Sequence, residues 1–359
     1  MNALHQSQSQ THDASLHVYD AMPEELASTG YTGCTDSLFK RLHRPWTWRD
    51  GKPVVSGRLS HLFPEHSCRL PTIVNAVPSA DGSKKCIFQT HDGHLFEAMH
   101  MPRAVRHPRV TFCVSSQVGC AMACGFCATG KMNLKRNLRP EEIVGQVLMM
   151  MHTFGPTSGA QINLVFMGMG EPLHNKGHVQ RAIELLCHPS GLGLSENRIS
   201  VSTCGLVPQI REMATWPRRP LLAISLNGTT DEQRSAVMPI NRKYPLDLLR
   251  ETLCQWPFRA REKITVEYVL MAGQNDGEAD ALRLARFVKD FPHLVNLIPM
   301  NQHANSPYQS PSPTQIDLFA GWLAKDKVRT VVRQNRGRDI SGACGQLIQM
   351  PRSETLISC

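Results

Sequence analysis

Three cysteines, Cys120, Cys124 and Cys127, stand in a C-x3-C-x2-C pattern within one short stretch of the 359-residue chain. That spacing can set three thiolates on three corners of an iron–sulfur cube and leave the fourth iron without a protein ligand. Soft thiolates select iron–sulfur clusters or zinc, and a triplet is a poor match for a closed four-ligand zinc site. Ordinary buried thiols are the bland alternative, and three at this spacing favour chelation over it. Two more cysteines are of interest. Cys344 lies in Ser341-Gly342-Ala343-Cys344-Gly345, where glycines expose a thiol and permit close approach, whereas Cys113 lies on a strand-like run and reads equally well as core. Cys187, Cys204 and Cys254 read as inert buried thiols.

The elements that must position these thiols alternate between strand and helix. Apolar β-type runs at 110–116, 161–167, 198–203, 220–226, 263–270 and 294–299 are separated by helical periodicity near 140–151, 176–187, 207–215, 245–256, 276–290 and 313–325, with a last strand at 328–333. Six β/α units predict an α/β fold, a partial (β/α)6 barrel open on one side. A small N-terminal helical and β extension precedes it. Its first fifteen residues are polar with nothing to bury. Residues 36–48 carry a short helical pattern running into Arg41, Arg44, Trp46, Trp48 and Arg49, which either touches RNA or packs on the barrel through its tryptophans. Strand-like runs at 72–77, 86–90 and 95–99, parted by Asp81-Gly82 and Asp92-Gly93, predict a β-meander. The expected organisation is an accessory region at 1–69, the meander at 70–108, the barrel at 109–335 and a C-terminal segment with Cys344 at 336–359.

In such barrels chemistry sits at the C-terminal ends of the strands. The second barrel strand ends in Met167-Gly168-Met169-Gly170-Glu171, where glycines admit a ligand to the backbone and a carboxylate can accept hydrogen bonds from an ammonium group. Ser202, Ser225, Asn227 and Asn301 also stand at strand ends; each alone reads as a cap, and together they can line a site for a sugar and a base. The formal net charge, 39 minus 30 or +9, favours an acidic partner, with nucleic acid ahead of membrane. Lys131, Lys135, Arg136 and Arg139 past the triplet, and Arg329, Arg333, Arg336 and Arg338 before Cys344, are the candidates to hold phosphates. A solvated basic face is the alternative. Twelve cysteines without a signal peptide or an apolar run of membrane length point to a reducing cytoplasm, where a disulfide would be transient and catalytic.

Phe126, directly before the last cysteine of the triplet, matches the radical S-adenosylmethionine (SAM) superfamily. Further stretches extend the likeness: Cys113-Val-Ser-Ser-Gln-Val-Gly-Cys120, Asn137-Leu138-Arg139, Gly145-Gln146-Val147, Met167 to Leu173, Met238-Pro239-Ile240-Asn241 and Ala343-Cys344-Gly345-Gln346-Leu347. In this order, from about residue 70 to 347, they resemble the RlmN/Cfr family of radical-SAM RNA adenosine methyltransferases. The resemblance implies a [4Fe-4S] cluster on Cys120, Cys124 and Cys127, and SAM contacts from Gly170, Glu171, Ser202, Ser225, Leu226, Asn227 and Asn301. It also implies a methyl-carrying Cys344, a partner thiol in Cys113 and a proton acceptor in Glu97, a residue that otherwise reads as solvated. Position 227 is asparagine where the family usually has histidine.

An adenine ring carbon is not nucleophilic, so direct attack on the SAM methyl is closed and a radical route is required. In the family's route two SAM molecules serve each turnover: one methylates Cys344, and the other is cleaved to a 5′-deoxyadenosyl radical that takes a hydrogen from that methyl. The carbon radical adds to adenine, and Cys113 then attacks the Cys344 sulfur and frees the methylated base. The expected target is carbon 2 of an adenosine in 23S rRNA, with tRNA as a further target and carbon 8 as the nearest alternative. The expected partners are RNA and an electron donor such as flavodoxin or ferredoxin, with no membrane and a monomeric state. Two readings from other classes stay open. A radical-SAM enzyme using SAM only as oxidant predicts a second cluster and no methylated Cys344; an RNA-binding iron–sulfur module without catalysis predicts no SAM cleavage.

Overall fold

The computed structural model describes residues 16–49, 62–63, 65–103, 108–155, 160–303, 306–334 and 336–347. Two short helices come first, α1 (Pro23–Ala27) and α2 (Thr35–His43). The antiparallel meander follows as β1 (Thr72–Pro78), β2 (Lys84–Gln89) and β3 (Leu95–Arg103), and β3 pairs antiparallel with β4 (Arg109–Cys113). Meander and barrel therefore share one sheet. After β4 come a small antiparallel ladder, β5 (Gln117–Val118) with β6 (Arg136–Asn137), and helix α3 (Pro140–Phe154).

Parallel strands then alternate with helices. They are β7 (Gln161–Phe166) with α4 (Lys176–Cys187), β8 (Ile199–Thr203) with α5 (Val207–Met213), and β9 (Leu221–Ser225) with α6 (Asp231–Val237) and α7 (Leu246–Cys254). The rest are β10 (Ile264–Leu270) with α8 (Glu278–Val288), β11 (His293–Pro299) with α9 (Pro313–Lys325), and β12 (Thr330–Val332). The order β1-β2-β3-β4-β7-β8-β9-β10-β11-β12 leaves β1 and β12 as its edges, so the barrel is open, as the six-unit count predicts. The expected strands and helices fall within a few residues of their observed bounds. β5, β6, α1 and α6 carry too few residues for a periodicity to register.

Helices cover the parallel strands, which accordingly read as aliphatic runs such as Leu221-Leu222-Ala223-Ile224. Helix α3 illustrates how the layers lock. Proline fits its first turn, and the Glu142 carboxylate accepts the Arg139 N–H at 2.9 Å. Ile143, Val144, Val147, Leu148 and Met151 are buried, and at Gly145 a Cβ would lie 2.5 Å from the Pro71 ring. The N-terminal helices pack on the same side of the sheet. Trp48 is buried and donates to the Arg41 carbonyl at 2.9 Å, and Arg44 donates to the Gly191 carbonyl at 3.0 Å. Packing is thus what Arg44 and Trp48 do, while Trp46 stays 51% exposed. The polar first fifteen residues lie outside the described ones. Among the described residues no helix is long and apolar enough to cross a membrane.

Candidate active site

The β5–β6 ladder brackets the cysteine loop. Gly119 enters it at φ 80°, and a Cβ there would run into the Asn133 carbonyl, so only glycine fits. Inside the loop, Cys120 N–H donates to Met132 O at 3.2 Å and Cys127 N–H to Cys124 O at 3.1 Å. The three thiols line one side of a cavity of about 140 Å³. Burial pushes each thiol up from its ordinary value, Cys120 to about 12; at Cys124 the charges of Cys127 and Cys120 add to the rise.

Strand ends line the same cavity. Gly170, Glu171, Ser202, Ser225, Asn227 and Asn301 all line this cavity. Leu226 does not: it is fully buried, and its N–H donates to Glu267 O at 2.9 Å. The two long motifs hold each other here. A Cβ on Gly168 would lie 2.6 Å from Ser115 Oγ, and one on Gly170, at φ 96°, would lie 2.5 Å from the Gln117 side chain. The Glu171 carboxylate accepts Leu173 N–H at 3.0 Å and Cys204 N–H at 2.8 Å; burial pushes this carboxyl up and those bonds oppose the rise. Asn227 adopts φ 58°, a left-handed conformation that asparagine tolerates. Its Oδ1 accepts Val269 N–H at 2.8 Å, so the amide ties β9 to β10 as well as lining the cavity. Asn301 Nδ2 donates to Cys344 O at 3.1 Å, while its Oδ1 is buried with no hydrogen-bond partner among the described residues.

A second, smaller cavity of about 20 Å³ contains the lone cysteines. Cys113 and Cys344 line it together with Met99, Met167 and Arg333. Cys344 and Met167 line both cavities. Burial pushes Cys113 up to about 12, with Cys344 adding to the rise and Arg333 opposing it. Burial likewise raises Cys344, again against Arg333. The guanidinium is itself raised, first by the adjacent Cys344, and its Nη1 lies 3.7 Å from Glu267 Oε1. Glu267 is 5% exposed, lines the larger cavity and accepts the Ser202 hydroxyl at 2.7 Å.

Glu97 lines neither cavity, and it is fully buried rather than solvated. Its carboxylate pairs with Lys85 at 3.5 Å, and breaking such a buried pair by removing one partner costs roughly 3–5 kcal/mol. Three of the basic candidates are engaged within the fold. Arg136 holds Asp92 and Glu142, Arg336 donates to the Asp81 and Pro102 carbonyls, and Arg333 faces the thiol pair. Lys131, Lys135, Arg139, Arg329 and Arg338 are exposed. Sequence reasoning passes over Glu267 and Arg234. Arg234, fully buried, donates to Leu226 O at 3.1 Å, Cys204 O at 2.6 Å and Asn241 Oδ1 at 2.8 Å. It thereby fixes two strand ends and accounts for the Met238–Asn241 stretch.

A parallel half-barrel whose first strand runs into a three-cysteine loop, facing polar strand ends, defines a radical-SAM enzyme, and residues 114–285 match the Radical SAM superfamily. A dual-specificity RNA methyltransferase RlmN of Anaeromyxobacter sp. (strain Fw109-5) is 50% identical over 275 residues, 75% of this chain and 72% of the relative. That of Sorangium cellulosum (strain So ce56) is 39% identical over 373 residues, 93% and 95% of the two chains. The crystal structure of a radical SAM methyltransferase from Sphaerobacter thermophilus superposes with a TM-score of 0.84 at 36% identity, covering 92% of this chain and 99% of that one. The chain belongs to the RlmN/Cfr family.

Its enzymes use a [4Fe-4S] cluster and SAM, and the residues here fit both. Three soft donors share one loop and one cavity, as cluster thiolates must. No three His, Cys, Asp or Glu side chains among the described residues gather as a metal ion would need; a cube asks instead for thiols spread over separate irons. On the SAM side, the orphaned Asn301 Oδ1 is a buried acceptor in want of a donor.

Proposed function

We propose that this chain methylates carbon 2 of an adenosine in 23S rRNA, and also in tRNA, and that the methyl group travels on Cys344. The observation that carries the reading is that Cys344 lines both cavities, with three candidate cluster thiols in one and Cys113 in the other. A carrier has to face both. The RNA substrate follows from the two relatives, both dual-specificity RNA methyltransferases, and carbon 2 follows the RlmN resemblance.

When bound, the cluster and SAM supply the methyl group and the radical chemistry. Cys120, Cys124 and Cys127 hold the cluster. Gly170 lets the backbone approach SAM, the Glu171 carboxylate accepts from its amino group, and Ser202, Ser225, Asn227 and Asn301 border the rest of it, with Leu226 packed behind them. The Cys344 sulfur accepts the methyl, with Arg333 favouring its thiolate against the effect of burial. Once the carrier carbon is joined to the base, Glu97 takes the proton that leaves the ring and the adduct gives up its unpaired electron, which the cluster would accept. Cys113 then forms a disulfide with Cys344, the carbon–sulfur bond breaks, and the freed carbon takes up the proton of the Cys113 thiol to become the methyl group. The chain acts as a cytoplasmic monomer reduced by a flavodoxin- or ferredoxin-type donor.

Mass spectrometry of rRNA and tRNA from cells with and without the gene tests this reading. The expected result is one 2-methyladenosine that disappears from each RNA. Loss of 8-methyladenosine instead would move the chemistry to the other carbon, and loss of neither would sink the proposal.

A further inference from the structure

Lys85 is the one buried lysine among the described residues, 1% exposed. On the sheet it stands opposite Met99, while Glu97 stands opposite Ile87 and Met99 opposite Cys113. Directly opposed residues of an antiparallel ladder point to the same face, as do residues two apart on a strand. Lys85, Glu97, Met99 and Cys113 therefore share one face, and Met99 and Cys113 line the thiol cavity. The Lys85 ammonium makes no hydrogen bond to any described residue, and Glu97 Oε1 lies 3.5 Å away.

Stability does not account for this lysine. An ammonium brings three donors, and burying them unbonded is costly, whereas apolar side chains of similar volume often replace a buried ion pair without loss. The Glu97 backbone needs no help from it: its N–H meets Met169 Sδ at 3.3 Å, and its carbonyl accepts the Ser115 hydroxyl at 2.5 Å. The ammonium places a positive charge 3.5 Å from a carboxylate that water does not reach. Without that charge, burial drives a carboxylate to keep its own proton, and a protonated carboxyl is far too weak a base to take another.

We infer that Lys85 is a positioning residue that keeps Glu97 charged, on the sheet face that carries Cys113, for the proton lost when the methylated base is released. This rests on the role proposed above for Glu97. In that step the ring C–H bond breaks, its electron pair returns to the ring and an O–H bond forms on Glu97.

The test compares Lys85→Met, Lys85→Gln, Glu97→Gln and the double Lys85→Met/Glu97→Gln. Infrared spectra of the cluster-free proteins come first. Lys85→Met should gain a protonated-carboxyl band that the double variant lacks, and absence of that band overturns the inference. With the cluster loaded, Lys85→Met should methylate Cys344 at the normal rate, lose about 100-fold in methyladenosine formation and accumulate the same denaturation-resistant protein–RNA adduct as Glu97→Gln. Normal turnover by Glu97→Gln would remove the underlying reading of Glu97; a stalled Glu97→Gln beside a normal Lys85→Met would remove Lys85 alone. Lys85→Gln, which keeps a polar end, replaces the methionine variant if that one does not fold. If neither folds, the lysine serves folding and the inference falls.

Discussion

The cavity of the three thiols and the cavity of the thiol pair meet at Cys344, yet they are walled in opposite ways. The first is enclosed by neighbouring parallel strands whose ends are cross-bonded: Glu171 to Cys204, Ser202 to Glu267, Arg234 to two carbonyls. The second is closed by the meander on one side and the segment after β12 on the other. That segment is fastened to distant elements: Arg336 to the Asp81 and Pro102 carbonyls, Gly337 N–H to Asp81, the Ser79 hydroxyl to Asp339, Asn301 to Cys344 O, Gln346 to Gln302 O and Ala128 N–H to Gly345 O. A cofactor site gains from rigid walls because pre-set donors and acceptors need no reorganisation. A carrier that must reach first SAM and then a base gains from standing where the two cavities meet.

Removing a cluster thiol tests the rigid side with the largest expected effect. Cys124→Ala should lose both cluster and SAM cleavage in iron and sulfide assays after anaerobic reconstitution, and full cluster content would refute the ligand set. The thiol-pair side separates by step. Cys344→Ala should keep the cluster and bind SAM but form neither methylated protein nor methylated RNA. Cys113→Ala should methylate Cys344, couple it to RNA and stop there as a stable crosslink; normal turnover would break the assignment of the pair.

In the wild type, Cys113 is held at about 12, above its ordinary value. Its thiolate fraction, and with it the decay of the adduct in a single turnover, should therefore rise about tenfold per pH unit from neutral upwards. A flat profile would point to a resolving group other than this thiol. A smaller effect is expected at Asn301. Asn301→Leu removes the orphaned acceptor and should weaken SAM binding by about 1.4 kcal/mol, or tenfold, in calorimetry; an unchanged Kd would detach this residue from SAM. The smallest concerns the exposed bases. Lys135→Ala should lower the salt slope of RNA binding by about one with SAM cleavage intact, and an unaltered slope would leave Lys135 a solvated residue.

The rigid side was the more legible in the sequence, for a physical reason. Ligands on one loop have fixed spacing, and a glycine forced by close approach, such as Gly170, leaves its mark beside the carboxylate it accompanies. Glu267 offers a fainter signal, a lone carboxylate inside the apolar run Ile264–Leu270, where a parallel strand covered on both faces should carry none. Lys85 offers less still. It follows Lys84, which is partly exposed, and only the strand pairing reveals that one of the two points inward. Arg333 and Arg336 look like their exposed neighbours Arg329 and Arg338 because charge alone does not say which way a side chain turns. The pairing of Cys113 with Cys344 is a long-range contact that no local period encodes; it was legible only through the family resemblance.

The Ala128–Gly345 bond, at 2.7 Å, and the bond from the Thr129 hydroxyl to the Leu347 carbonyl, also at 2.7 Å, tie the segment around Cys344 to the foot of the cysteine loop. The two partners are made at very different times. At roughly 5–20 residues per second, the loop leaves the ribosome tens of seconds before the segment that fastens onto it. During that interval the foot of the cysteine loop has no partner for these two bonds, and it is completed when the segment that carries Cys344 arrives.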